Sequence, residues 1–245
     1  GNVPTAVGTL SPWVDLRVPP LTVVEAELEN QSHRRFLKTH LPVDALVFSP
    51  HAKYIYVARD GRDISISMYH HFSNAADALY DAVNQTEGRV GPPIQRPTSD
   101  VRDWFLHWLR NDGDPFIPFF EHVQGWWDIR HNPNVLLVHF CNLKENPGRE
   151  IERMAAFLNI EADADLISSI VEKTSLASMR SRAVEFAPGG SEFFAEKGAT
   201  FFRNGGSGQW TTALKPEDSE EYLQKAALKL SPDCEHWLRT GELQL

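Results

Sequence analysis

The sequence predicts an α/β fold, a sandwich of helices around a mostly parallel sheet, and three observations predict it. Three short runs, 34–42 (RRFLKTHLP), 52–63 (AKYIYVARDGRD) and 134–140 (NVLLVHF), are almost unbroken in apolar character, as strands covered on both faces are. Helical periods fall between and after them, and strands alternating with helices favour a parallel sheet. Finally, 245 residues with no repeat and no low-complexity block read as a single domain over 1–245.

Each element follows from local chemistry. In YIYVA the β-branched and aromatic residues suit a buried strand, which Asp60-Gly61 ends. Val101, Trp104, Phe105, Trp108 and Leu109 follow the i, i+3, i+4, i+7, i+8 spacing of a helix with one apolar face. Asn146-Pro147 reads as an N-cap with proline at the first helical position, opening a helix whose apolar face is Ile151, Met154, Ala155 and Leu158. Residues 165–171 and 217–230 also read as helices. Two segments resist the pattern, 71–100 and 181–210. Their Gly and Pro content predicts long loops, the second a lid over a ligand.

Composition narrows the function classes. With 42% hydrophobic residues, 7 Trp and 14 Phe, the chain can offset its ordering entropy, which excludes wholesale disorder. A net charge of −9 repels a polyphosphate backbone, so nucleic acid is not an expected partner. Cys141 and Cys234 form no zinc-spaced cluster, and no metal is expected. No apolar run reaches the roughly 20 residues of a membrane span, so the expected location is the cytoplasm.

Three local patterns could carry chemistry. In RRFLKTHLP an extended backbone sends Lys38 and His40 to one side, where an ammonium and a group titrating near neutrality could stabilise charge and move a proton. A solvated strand end is the plainer alternative. In YVARDGRDISIS, Arg59 stands where the strand ends and Ser67 lies in the helix that follows. Phosphate binding there suits the carboxyl edge of an α/β sheet. An ordinary turn with Arg59 paired to Asp60 or Asp63 would use the same residues. In FFRNGGSGQW, Arg203 precedes a glycine-rich stretch whose backbone N–H groups could wrap an anion. The adjacent His70 and His71 point about 100° apart on a helix and read as surface or pocket lining rather than metal ligands.

Taken together and in this order, KTHLP (38–42), YVARDGRDISIS (56–67) and FFRNGGSGQW (201–210) resemble the signature segments of the soluble, cytosolic-type sulfotransferases, and 142–160 resembles the stretch between the last two. The resemblance runs from about residue 11 onward. It implies a three-layer α/β fold related to P-loop kinases. It also implies transfer of a sulfonate group from 3′-phosphoadenosine 5′-phosphosulfate (PAPS; product PAP) to a hydroxyl or amine of a small molecule.

By the same resemblance His40 matches the general base and Lys38 the lysine that steadies the sulfonate and the leaving phosphate. Arg59 and Ser67 match the pair on the 3′-phosphate, Arg203, Asn204 and Gly205 a second grip on it, and Thr174 the residue near adenine. Asn204 stands where the family usually has lysine, which implies a weaker grip. TTALKPED (211–218) lacks the dimer signature of animal members, so the oligomeric state stays open. The family's phosphosulfate loop, of the form PKSGTTW, is expected upstream of SPWVDLR (11–17) and does not occur in these 245 residues. A non-catalytic relative that binds a nucleotide or an apolar ligand is the rival expectation.

Overall fold

The computed structural model describes residues 7–16, 18–89, 91–187 and 190–243. They fall into two compact units. One is drawn from Pro42–His70, Pro97–Thr174 and Gly205–Leu245, the other from Gly1–Leu41, His71–Arg96 and Ser175–Asn204.

The first unit holds the sheet. Strand β1 (Tyr54–Ala58) pairs in parallel with β2 (Val135–His139), from Tyr54 opposite Val135 to Ala58 opposite His139. Both lie inside the predicted apolar runs. A helix, Gly61–Ser73, starts two residues after β1 ends. Glycine is required at position 61 by packing, since a Cβ there would lie 2.6 Å from the Phe119 ring and 2.9 Å from the Tyr222 hydroxyl.

Around the sheet, the core takes Phe105, Trp108 and Leu109 from helix Val101–Arg110, Val123, Trp126 and Trp127 from Phe119–Asp128, and Cys234, Trp237 and Leu238 from Pro232–Thr240. Each such side chain contributes about 1.5–3 kcal/mol on burial. The helix starts are set by side chains. Asp100 accepts the amides of Arg102 and Asp103, both at 2.9 Å. The predicted cap Asn146 accepts the Arg149 amide at 3.1 Å ahead of helix Pro147–Leu158. Such a cap is worth about 1 kcal/mol. Helices Ala164–Lys173 and Pro216–Lys229 match the predicted ones.

In the second unit the expected strand at 34–42 is absent. Its only ladder position is Lys38, which donates its amide to the Pro12 carbonyl at 2.9 Å and accepts from the Val14 amide at 3.0 Å, a single parallel bridge to Trp13. The ladder stops because its donors are diverted. The His40 amide goes to the Asp15 carboxylate and the Leu41 amide to the Thr39 hydroxyl, while Pro12 has no N–H to give.

The stretches expected to be long loops are not structureless either. Helix Asp77–Asn84 and short turns at Leu176–Ser181, Ala183–Phe186, Gly190–Phe193 and Glu196–Phe201 fill them. They are held by Asn84, which exchanges two 2.8 Å hydrogen bonds with Ile94, and by the Ala76 amide on the Phe193 carbonyl at 2.8 Å. Helices of four to eight residues are too short for their period to outweigh Gly and Pro in a sequence reading. No helix of the described residues is long and apolar enough to cross a membrane.

Candidate active site

In the sheet unit the carboxyl end of β1 delivers Arg59 to the start of the following helix. Its guanidinium lies over the Phe140 ring, 4.4 Å from the centroid, and Phe140 is itself the first residue after β2. Nη2 donates to the Gly206 carbonyl at 2.8 Å and lies 3.4 Å from the Asp63 carboxylate. Nε is buried and has no hydrogen-bond partner among the described residues. A buried, unsatisfied guanidinium N–H costs about 1–3 kcal/mol, and an anion would relieve it.

Opposite Arg59 runs the glycine-rich stretch, and Asp63 ties it down. Its carboxylate, 2% exposed as a side chain, accepts the Gly208 amide at 2.7 Å and the Trp210 amide at 3.3 Å. Gly208 has φ of +77°, the left-handed region in which glycine is at ease. Arg62, the residue before Asp63, sits 3.9 Å over the Trp210 ring and is held by Asp60 and by Ser219. Burial works against the Arg62 charge, but the bond to Asp60 and the charge interactions with Asp60, Tyr222 and Asp63 together outweigh it, and its pKa is raised.

Ser67 lies one further turn along the same helix face as Asp63 and is exposed. Gly205 begins the glycine-rich stretch in this unit. Thr174 caps helix Ala164–Lys173 and donates its hydroxyl to the Ile170 carbonyl at 2.8 Å.

The second unit holds Lys38 and His40. The Lys38 ammonium lies 4.0 Å from the Trp13 ring centroid, and the His40 ring lies 4.4 Å from the same indole. Burial lowers the Lys38 pKa, opposed by the Asp15 charge. His71 sits among Phe72, Phe194 and Phe201, with centroid distances of 4.9, 5.0 and 5.8 Å. Burial, with Lys38 adding to it, pushes its pKa down to about 4, so the ring is uncharged at neutrality. Arg203 and Asn204 are exposed, and Arg180 donates to the carbonyls of Phe202 and Arg203.

Several of these neighbours were not singled out from the sequence. Trp13 and Asp15 carried no signal beyond their place in SPWVD, because an isolated bridge between distant segments has no local pattern. Asp63 appeared only as a possible partner of Arg59. Among the described residues no group of three or more His, Cys, Asp or Glu is placed to hold a metal ion.

Comparison with known proteins gives the family of the chain. The sulfotransferase domain family matches residues 3–230. A glycolipid sulfotransferase of Mycobacterium bovis is 33% identical over 264 residues, covering 98% of this chain and 80% of that protein. In structure the chain is similar to mouse sulfotransferase SULT7A1 complexed with PAP, at a TM-score of 0.66 and 22% identity, covering 87% of this chain and 72% of that one. It is also similar to retinol dehydratase in complex with androsterone and PAP, at a TM-score of 0.64 and 21% identity. There it covers 87% of this chain and spans 57% of the retinol dehydratase chain.

These likenesses establish the α/β fold of the sulfonate-transferring enzymes related to P-loop kinases. The chain belongs to the sulfotransferase family and is by that membership a PAPS-dependent sulfotransferase.

Proposed function

We propose that the chain moves a sulfonate group from PAPS to a hydroxyl or amine of a small molecule, working as a single domain over 1–245 in the cytoplasm. The observation that carries the reading is the pairing of Lys38 and His40 on one indole, Trp13, an ammonium and an imidazole held side by side. The names of the mycobacterial relatives favour a sugar hydroxyl of a glycolipid as the first acceptor to test. No nucleic-acid partner is proposed.

The residues present fit the cofactor. Arg59, with its buried unsatisfied Nε, takes the 3′-phosphate together with the exposed hydroxyl of Ser67. By the resemblance of their segments, Arg203, Asn204 and Gly205 are assigned to the same phosphate and Thr174 to the adenine. When bound, PAPS supplies an activated sulfonate on a good phosphate leaving group. His40 takes the proton of the acceptor hydroxyl as that oxygen attacks sulfur. Lys38 offsets the negative charge that builds on the departing phosphate. Sulfonate transfer, like phosphoryl transfer, asks mainly for positioning and fixed charge, which is what these residue types provide.

Calorimetric titration with PAP, with adenosine 5′-monophosphate as control, tests the cofactor half. Binding that requires the 3′-phosphate and is lost in Arg203→Ala is the expected result. For the chemical half, His40→Ala is expected to abolish turnover with PAP binding nearly intact. Equal loss of both would count against His40 as base, and a folded chain that ignores PAP would favour a non-catalytic relative.

A further inference from the structure

Lys38 and His40 sit two apart on an extended segment and share one neighbour, the indole of Trp13. The parallel bridge pairs Trp13 with Lys38 directly, so the three side chains leave the backbone on one face. The Lys38 ammonium rests over the ring at 4.0 Å, and the His40 ring lies against it at 4.4 Å with 42° between the planes. Two residues past Trp13, Asp15 accepts the His40 amide at 3.3 Å, which fixes the backbone beneath the imidazole. A lysine left to itself has four rotatable bonds and samples many positions. An aromatic face removes that freedom while favouring the charged form.

We propose that Trp13 is a positioning residue for the transfer step, holding the Lys38 ammonium and the His40 imidazole in the fixed relation the reaction needs. In this role it acts through Lys38 and His40, the two groups assigned to the reacting atoms. The inference rests on the roles proposed above for Lys38 and His40. Among the described residues, the charged and titratable groups around Lys38 are Asp15, His71 and, on the same indole, His40.

The test measures transfer of labelled sulfonate from PAPS to octyl β-D-glucoside and to 2-naphthol by the wild type, Trp13→Phe, Trp13→Leu and His40→Ala. Trp13→Phe keeps an aromatic face and is expected to hold kcat within about threefold. Trp13→Leu is expected to lower kcat about tenfold or more with the KM for PAPS changed less than about threefold.

Should Trp13→Leu fail to fold, as judged by thermal melting, Trp13→Met takes its place with the same expectations. A leucine or methionine variant with wild-type kcat beside an inactive His40→Ala overturns the inference and leaves the assignments standing. A His40→Ala enzyme with wild-type turnover, or a wild type that sulfonates neither acceptor, overturns both.

Discussion

The Asp63 carboxylate accepts the backbone N–H of Gly208 at 2.7 Å, across 145 residues of sequence. The same carboxylate lies 3.4 Å from Arg59, which also donates to the carbonyl of Gly206 in that glycine-rich stretch. Asp63, in the first turn of the helix, and Arg59, just ahead of it, therefore grip one loop. The charge of each offsets the other until an anion competes for Arg59.

Asp63→Ala is expected to cost about 2–4 kcal/mol, since hydrogen bonds to a charged group are worth about 1.5–3 kcal/mol each and are not additive. Asp63→Asn keeps one acceptor and should lose less. Urea denaturation of the two variants checks the order, and limited proteolysis should cut first within 204–210. An alanine variant as stable as the wild type would show that the loop is held by something else.

Gly61→Ala should destabilise by about 1–3 kcal/mol through overpacking, because its Cβ would stand 2.6 Å from the Phe119 ring. Trimming the obstacle tests the cause. In a Phe119→Leu background the alanine should be tolerated better, and an unchanged penalty in the double variant would locate the strain elsewhere.

His71 has a depressed pKa, about 4 against an ordinary 6.5. The unfolded chain therefore binds its proton first as pH falls. The stabilisation is complete above about pH 6.5 and is lost progressively toward pH 4. His71→Phe should flatten stability across that window. Imidazole C–H shifts followed by NMR should show the wild-type ring titrating near 4, and a midpoint near 6.5 would contradict the buried placement.

Asp218 lies under a two-pronged contact from Arg102, with both bonds at 2.7 Å, and that contact holds its carboxyl below the usual range. Its contribution is present above the unfolded pKa near 3.8 and is lost as pH falls through the lower folded value. Asp218→Asn should therefore be less stable than the wild type at pH 6 and nearly equal to it near pH 2, as read from urea midpoints at the two pH values.

β1, β2 and the helices at 101–110, 147–158, 164–173 and 216–229 were legible because their information is local. Unbroken apolar runs mark buried strands, the 3.6 period marks long amphipathic helices, and Asn146-Pro147 marks a start. The run at 34–42 looked the same but is no strand, because strand formation needs a partner for every donor and here side chains of Asp15 and Thr39 took them. Segments 77–84 and 183–201 failed in the opposite direction, as short helical turns among glycines and prolines whose order comes from contacts such as Asn84 with Ile94.

By itself the sequence determined the α/β class, the family motifs and the residue types at the site: an ammonium beside an imidazole, an arginine at a strand end, a glycine-rich stretch after another arginine. Only the tertiary structure decided what each of these touches. That Trp13 lies against both Lys38 and His40, and that Asp63 binds Gly208 and Trp210, follows from pairings between segments 25 to 147 residues apart. The physical reason is range: backbone propensity and periodicity act over one or two turns, whereas a cation on an indole or a carboxylate on a distant amide exists only once the core has brought the segments together.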